Sequence, residues 1–258
     1  MLTTAVLDSV VAELNDAWAQ SGMIEPPSRR YPGFGLDDGY YVGACILREQ
    51  IAAGRVATGK KLGFTNQAVW AQVGLDQPFW APIYRDSLRR AAELDVTGMV
   101  QPRIEPEIVL ALKSDLSDPE LSAAEILSAV EWCALGFEIV ACHYPGWSFA
   151  PADAIADRGL HAALIVGEPT PIHSASEDLL AGLTVTLFLN GAARAAGRAS
   201  NVLGSPALAL GWLLKILVRT GQHGIRAGEV ITTGSLTDAP YGTWKRREVC
   251  RYTRSPFG

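Results

Sequence analysis

Arg103-Ile104-Glu105-Pro106-Glu107-Ile108-Val109-Leu110-Ala111-Leu112 is an apolar run broken only by two acids around a proline. The run is bounded by turn-forming residues and is too short for a helix of this hydrophobicity, so it reads as a β-strand. Side chains alternate along a strand with period two. Glu105 and Glu107 therefore share one face, and Ile104, Pro106, Ile108 and Leu110 share the packed one. Two like charges this close repel each other, and burying them unpaired is costly. A cation between them removes that cost, and oxygen-only ligands suit a hard ion such as Mg²⁺ or Mn²⁺. A solvated strand face is the ordinary alternative for an isolated Glu-x-Glu.

A metal site needs a further carboxylate. Glu138 lies in Leu135-Gly136-Phe137-Glu138-Ile139-Val140, a strand whose other members are apolar or small. An acid there is either buried with a partner or at a sheet end. Glu131 suits the role less, since its spacing is helical and its neighbours polar. Lys60 and Lys61 stand in a strand over 56–63, and alternation sends one inward and one outward without deciding which. An inward lysine can hold a substrate carboxylate or exchange a proton. His143 and His161 flank apolar runs, where a lone histidine is more often structural than catalytic. Asp153 and Asp157, four apart, share a face if their segment is helical. Thr232-Thr233-Gly234-Ser235 ends a strand with hydroxyls and backbone N–H groups that can meet an anion.

The rest of the chain supports a folded, non-nucleic-acid-binding protein. It has 258 residues, 48% hydrophobic and 19% charged, with a net charge of −5. That composition argues against disorder and, with no basic stripe, against nucleic acid as a partner. Four cysteines form no CxxC pair, which points away from zinc and disulfides and toward a reducing cytoplasm. The first residues lack a basic segment followed by an apolar one. The most apolar stretch, 207–218, contains Lys215 and is short for a bilayer, so no membrane partner is expected.

Periodicity predicts helices over 4–20 and 38–53, the second ending at Gly54, with a loop over 26–35 between them. A short helix over 66–73 and a loop over 74–82 bearing exposed aromatics follow. Beyond residue 95 short apolar runs dominate: 104–112, 134–142, 161–166, 183–190 and 229–234. Helices are expected over 119–133, capped by Ser117 or Asp118, and over 206–220, apolar on most faces and hence buried. Asn190-Gly191 signals a hairpin. The layout divides into an N-terminal helical and mixed part, 1–95, and a mixed β catalytic domain, 96–258.

Five motifs now stand in order: Gly59-Lys60-Lys61-Leu62-Gly63-Phe64-Thr65, Ile104-Glu105-Pro106-Glu107-Ile108, Phe137-Glu138-Ile139-Val140, Asp153-Ala154-Ile155-Ala156-Asp157, and Gly228 to Ser235. Together they resemble the fumarylacetoacetate hydrolase superfamily, in its 2-keto-4-pentenoate hydratase and 4-oxalocrotonate decarboxylase branch, over about residues 38–240. The resemblance implies an α+β fold with a mixed β-roll or sandwich core, helices, and a small helical N-terminal part. It implies a divalent ion, Mg²⁺ or Mn²⁺, held by Glu105, Glu107 and Glu138, and it singles out Lys61 as the family lysine. Catalytic roles fall on Lys61, His143 and His161, and substrate contacts on Ser235, Thr233, Asp157 and Phe79. The implied reaction is metal-dependent hydration of a 2-hydroxydienoate or 2-oxo-4-enoate in the catabolism of ring-cleavage products, by a homo-oligomer. Decarboxylation of a 2-oxo dioic acid and C–C hydrolysis of an acylpyruvate are the alternatives, and a catalytically silent assembly partner is a third.

The chain also departs from the branch. Its usual Asp-Ser-Arg is Ala141-Cys142-His143, and its Ala-Asp-Asn-Ala-Ser-Ser segment is Ala156-Asp157-Arg158-Gly159-Leu160-His161. A loop acid gives way to Phe79 or Trp80, and the tail from Tyr241 to Gly258 is short and basic. The resemblance thus implies a retained metal site in a rebuilt substrate pocket.

Overall fold

The computed structural model describes residues 1–90, 93–172, 177–237 and the backbone of 250–252, so most of the basic tail lies outside the described residues. Helix α1, Thr4–Gln20, buries Leu7, Val10, Val11, Leu14 and Ala17 along one stripe. The expected 26–35 loop contains one helical turn, α2, Pro27–Arg30, started by its proline. Helix α3, Leu36–Ala52, begins where Asp38 accepts from the Gly35 N–H at 3.0 Å, a carboxylate placed at the positive helix end. Strand β1 spans Ala57–Gly63, and Asn66 caps the short turn that leads into α4, Trp70–Val73.

The loop expected over 74–82 is half strand. Strand β2, Phe79–Tyr84, buries Phe79, Ala81 and Ile83 and leaves Trp80 and Pro82 partly exposed. Its proline signals a break, yet edge strands tolerate proline, and β2 is an edge. Strand β3, Leu88–Arg89, and strand β4, Arg103–Leu112, follow.

The helix expected over 119–133 is likewise shorter: α5 runs only Ala123–Ser128. Ser122 and Glu125 form the capping box that starts it, in place of Ser117 or Asp118. From Val130 the chain is strand β5, Val130–Val140, because pairing with β4 outweighs local helical spacing. Glu131 is therefore an exposed strand residue.

Helix α6, Pro151–Ala156, strand β6, His161–Val166, and strand β7, Thr170–Pro171, come next. Helix α7, Glu177–Gly182, leads to the hairpin of β8, Thr184–Leu189, and β9, Ala192–Arg198. Asn190 and Gly191 form its turn, both with positive φ (51° and 82°), the geometry that favours this dipeptide. Helix α8, Pro206–Arg219, strand β10, Val230–Ser235, and strand β11, Cys250–Tyr252, complete the described chain.

The main sheet is mixed, in the order β2-β1-β10-β4-β5-β6-β3, with β7 beside β5. Strands from 57–89 and from beyond 103 share it, so the division expected at residue 95 falls within one sheet. The two ends of that order, β2 and β3, are consecutive in the chain, joined only by the turn Arg85–Ser87. The sheet must therefore curl until its edges meet, which makes a roll with an inside and an outside.

Outside, Leu62, Ile108, Leu110, Cys133, Leu135 and Ile231 pack against α8 and α5. Inside, Val109, Ala134, Leu164, Val166, Val230 and Ile83 fill one end. With the turn before it, α8 belongs to a helical run, Ala199–Arg219, long and apolar enough to cross a membrane, longer than the 207–218 stretch suggested. Here 61% of its apolar window is buried inside the fold, as in a core helix. Helices α1 and α3 form a second cluster with α6 around Val42, Ile46, Tyr144 and Ile155. Leu214 on α8 is fully buried. We expect Leu214→Ala to lower the unfolding free energy by about 2–5 kcal/mol in urea titration, whereas loss below about 1 kcal/mol would contradict a packed α8–sheet layer.

Candidate metal centre

The inner face of the roll changes character along its length. In the ladder between β4 and β5, Glu105 lies opposite Glu138, Glu107 opposite Gly136, and Val109 opposite Ala134. One continuous face thus passes from carboxylate to hydrocarbon. Gly136 makes room for this, since a Cβ there would sit 2.7 Å from Val109 Cγ2. One oxygen from each of Glu105, Glu107 and Glu138 falls within a 4.8 Å cluster. Glu107 and Glu138 are fully buried, and Glu105 is partly open.

The curl brings Lys61 to these acids. Strands β1 and β5 are separated by β10 and β4, about 14 Å along a flat sheet. Yet Lys61 Nζ lies 3.0 Å from Glu138 Oε2 and donates to Gly159 O at 3.1 Å. Alternation along β1 is resolved here: Lys61 points in, while Lys60 turns to Glu229 at 2.6 Å. His161 Nδ1 donates to Glu138 Oε1 at 2.7 Å, and its Nε2 lies 2.9 Å from Ser87 Oγ. Ser87 itself donates to Tyr84 O at 2.8 Å. Both ring nitrogens of His161 are engaged, so it orients Glu138.

Glu107 is held on one oxygen only. The Gly234 N–H donates to its Oε2 at 2.8 Å, while Oε1 is buried with no hydrogen-bond partner. Gly234 sits at the irregularity of β10 with φ 103°, and a Cβ there would lie 1.9 Å from Thr65 Oγ1. Only glycine fits such a place. The Thr232 hydroxyl, buried in register with Lys61 and Val109, also lacks a partner.

Electrostatics follow from this crowding. Burial first, and Glu138 second, push Glu107 well above the usual carboxylate range. Burial and Glu138 also raise Glu105, to about 7, against the pull of Lys61 and Arg103. Burial works against ionising Glu138 as well, but Lys61 and His161 outweigh it and hold it down at about 2. For Lys61, burial opposes the charge while Glu138, Glu105 and Glu107 outweigh it, so its pKa is raised and it stays an ammonium. One carboxylate is thus paired with the Lys61 ammonium and hydrogen-bonded to His161, and two are left over. A buried oxygen without a partner and an all-oxygen donor set suit a hard divalent ion.

Other candidates stand elsewhere. His143 Nδ1 donates to Asp157 Oδ2 at 2.9 Å, and Asp157 Oδ1 accepts from Trp18 Nε1 at 2.6 Å. His143 and Asp157 thus tie α1 to the end of α6, and neither is brought to the carboxylates. Asp153 caps α6, accepting from the Ala150 N–H at 2.8 Å and from Ser28. Thr233 Oγ1 is spent on Ile108 O at 3.1 Å, and Ser235 Oγ on Thr237 O at 2.7 Å, although Ser235 lies opposite Glu107 in the ladder. Phe79 is brought in, its ring centroid 5.9 Å from Lys61 Nζ. Sequence reasoning missed Ser87, Gly159, Thr232 and the Gly234 N–H. Only the Thr-Thr-Gly-Ser run hinted at the last two.

Residues 82–252 match the family described as fumarylacetoacetate (FAA) hydrolase C-terminal. The chain is 33% identical to a 2-hydroxyhexa-2,4-dienoate hydratase of Comamonas testosteroni, over 86% of this chain and 84% of that protein. It is 31% identical to a 2-keto-4-pentenoate hydratase of Paraburkholderia xenovorans (strain LB400), over 84% and 80% respectively. Among solved structures, 4-oxalocrotonate decarboxylase from Pseudomonas putida G7, complexed with magnesium and adipate, superimposes with a TM-score of 0.84 at 25% identity. That likeness covers 97% of this chain and 91% of that one.

Because burial raises Glu105 to about 7 and lifts Glu107 well above the usual carboxylate range, a divalent ion must displace protons there at neutral pH. Calorimetry in buffers of different ionisation heat is expected to show proton release on Mg²⁺ binding, with affinity rising as pH increases from about 6 to about 8. Raised acids are protonated at no cost below their unfolded value and destabilise the metal-free fold as pH rises through the folded value. Glu105→Gln is accordingly expected to gain thermal stability over the parent as pH passes upward through about 7. A pH-independent difference would contradict the assignment.

Proposed function

The chain belongs to the fumarylacetoacetate hydrolase family, and on that footing we propose that it is a divalent-metal-dependent hydratase, a lyase adding water to a 2-hydroxydienoate or 2-oxo-4-enoate. One observation supports this most: the partnerless Glu107 Oε1 within a three-carboxylate cluster facing a buried lysine, in a chain resembling named hydratases over most of its length. Glu105, Glu107 and Glu138 would hold the ion, Mg²⁺ or Mn²⁺. When bound, such an ion supplies Lewis-acid stabilisation of the enolate-like charge that develops on a 2-oxo acid.

The chain's own residues set the geometry around it. Lys61 Nζ, fixed by Gly159 O and Glu138, presents a positive charge to a substrate carboxylate and holds a proton it can lend to the developing enolate. His161, clamped by Ser87, keeps Glu138 in place. Phe79 gives the carbon chain an apolar wall. Ser235, at the strand end opposite Glu107, can turn its hydroxyl from Thr237 to a substrate carboxylate. Free thiols at Cys45, Cys133 and Cys142 suit the reducing cytoplasm.

A second reading rests on the solved structure it superimposes on: decarboxylation of a 2-oxo dioic acid by the same centre. Incubation with Mg²⁺ and either 2-hydroxypenta-2,4-dienoate or a 2-oxo-4-enedioate separates the two. Loss of the dienoate absorbance with water addition is expected, while CO₂ release from the diacid alone would favour the second reading. Glu107→Gln is expected to lose Mg²⁺ binding and activity together. Lys61→Met should retain the ion and lose kcat by at least about 100-fold, and unchanged turnover would remove Lys61 from the reaction.

A further inference from the structure

Lys61 ends in an ammonium with three N–H groups. One meets Glu138 Oε2 at 3.0 Å and another donates to Gly159 O at 3.1 Å. A single N–H is left for a ligand of the centre, and the two acceptors fix where it points. Glu138 belongs to the carboxylate cluster itself. Gly159 O comes from a backbone turn that lies between α6 and β6.

That turn is strained. Arg158, Gly159 and Leu160 all have positive φ, at 54°, 62° and 61°. Residues with a Cβ visit this left-handed region at a cost, and ordinarily singly rather than in succession. Such strain persists only where the surrounding structure over-determines it, and it gathers at functional sites. Phe64, three residues beyond Lys61, is left-handed as well, at 55°. Gly159 is also tightly enclosed: a Cβ there would lie 2.6 Å from Ala81 Cβ and 3.2 Å from Lys61 Cδ.

Contacts on both sides hold the turn. Leu160 is buried, its N–H donates to Asp157 O at 2.7 Å, and its carbonyl accepts from the Ala141 N–H at 2.8 Å. From the other side α1 grips the two residues before Gly159. Trp18 Nε1 donates to Asp157 Oδ1 at 2.6 Å, and Asn15 Oδ1 accepts from Arg158 Nη2 at 2.8 Å. The Arg158 guanidinium also lies over the Trp18 ring, 4.8 Å from its centroid. His161, next after the turn, bonds to Glu138. Hydrogen bonds to both members of the Lys61–Glu138 pair thus come from one short segment fastened to α1.

We propose that Gly159, Trp18 and Asn15 are positioning residues for Lys61: α1 holds the turn Arg158–Leu160 in its left-handed form, and the Gly159 carbonyl aims the ammonium. They act through Lys61 rather than on a substrate. A tie between α1 and the rest of the fold would by itself add stability and leave the lysine's orientation alone, which is the difference a test must read.

The kinetic part of that test rests on the hydratase reading, and the spectroscopic part does not. Lys61 is followed in the full-length protein, labelled with ¹⁵N-lysine, by its ammonium ¹H–¹⁵N signal, identified through its loss in Lys61→Met. Asn15→Ala/Trp18→Phe removes both hydrogen bonds from α1 to this segment and keeps a ring beside Arg158. In that variant and in Gly159→Ala the Lys61 signal is expected to shift or broaden, and kcat with Mg²⁺ to fall at least about tenfold. Leu7→Ala, in the buried stripe of α1 and about three turns from Trp18, is expected to lower the melting temperature and change neither readout. Should Gly159→Ala fail to fold, the α1 double variant decides alone. An unchanged Lys61 signal in a folded variant, or an equal change in Leu7→Ala, would overturn the proposal. A parent protein that turns over no dienoate would instead remove the hydratase reading, with the ammonium signal still deciding what holds Lys61.

Discussion

Glu105 lies directly across the β4–β5 ladder from Glu138, a pairing that a sheet ordinarily avoids because facing like charges destabilise it. Register makes the pairing unavoidable here. A slip of one residue would turn Glu105 and Glu107 outward and bring Ile104, Ile108 and Leu110 into the roll, exchanging the two faces. The apolar outer face against α8 thus holds the acids in place. The remaining charge is handled locally: Lys61 neutralises Glu138 and His161 hydrogen-bonds to it, and the other two acids keep their protons or accept a cation.

Much of this was legible in the chain itself. Strict alternation in 103–112 placed both acids on one face, and the isolated acid in the Glu138 strand identified the third. Periodicity also located α1, α3, α8 and the Asn190-Gly191 hairpin to within a few residues, because each rests on local propensity or capping. The sequence was silent on the curl. Nothing near Lys61 announces that β1 will approach β5 across two intervening strands, and spacing alone left Lys60 and Lys61 level.

The misreadings share one cause. Residues 74–82 read as a loop bearing exposed aromatics, and 119–133 as a helix with a cap near Asp118, yet long-range pairing decided both. His143 and Asp157 likewise carry chemistry-bearing side chains, and tertiary structure spends them on one another and on Trp18. Ser87 and Gly159 escaped notice for the converse reason: one contributes a lone hydroxyl and the other a backbone carbonyl, and neither has a sequence signature.

The short turn Arg85–Ser87 has a wider meaning than its length suggests. It is the seam at which the two ends of the sheet meet, and Ser87 on that seam touches His161, which in turn holds Glu138. Closing the sheet and aligning the acid are therefore one event. Breathing at the seam would loosen the acid at the same moment, so this part of the molecule should open as a single cooperative unit. Slow amide exchange in β3 and β6 would be the visible sign of that coupling. Insertions that lengthen this turn would unfasten the acid without touching any residue beside it.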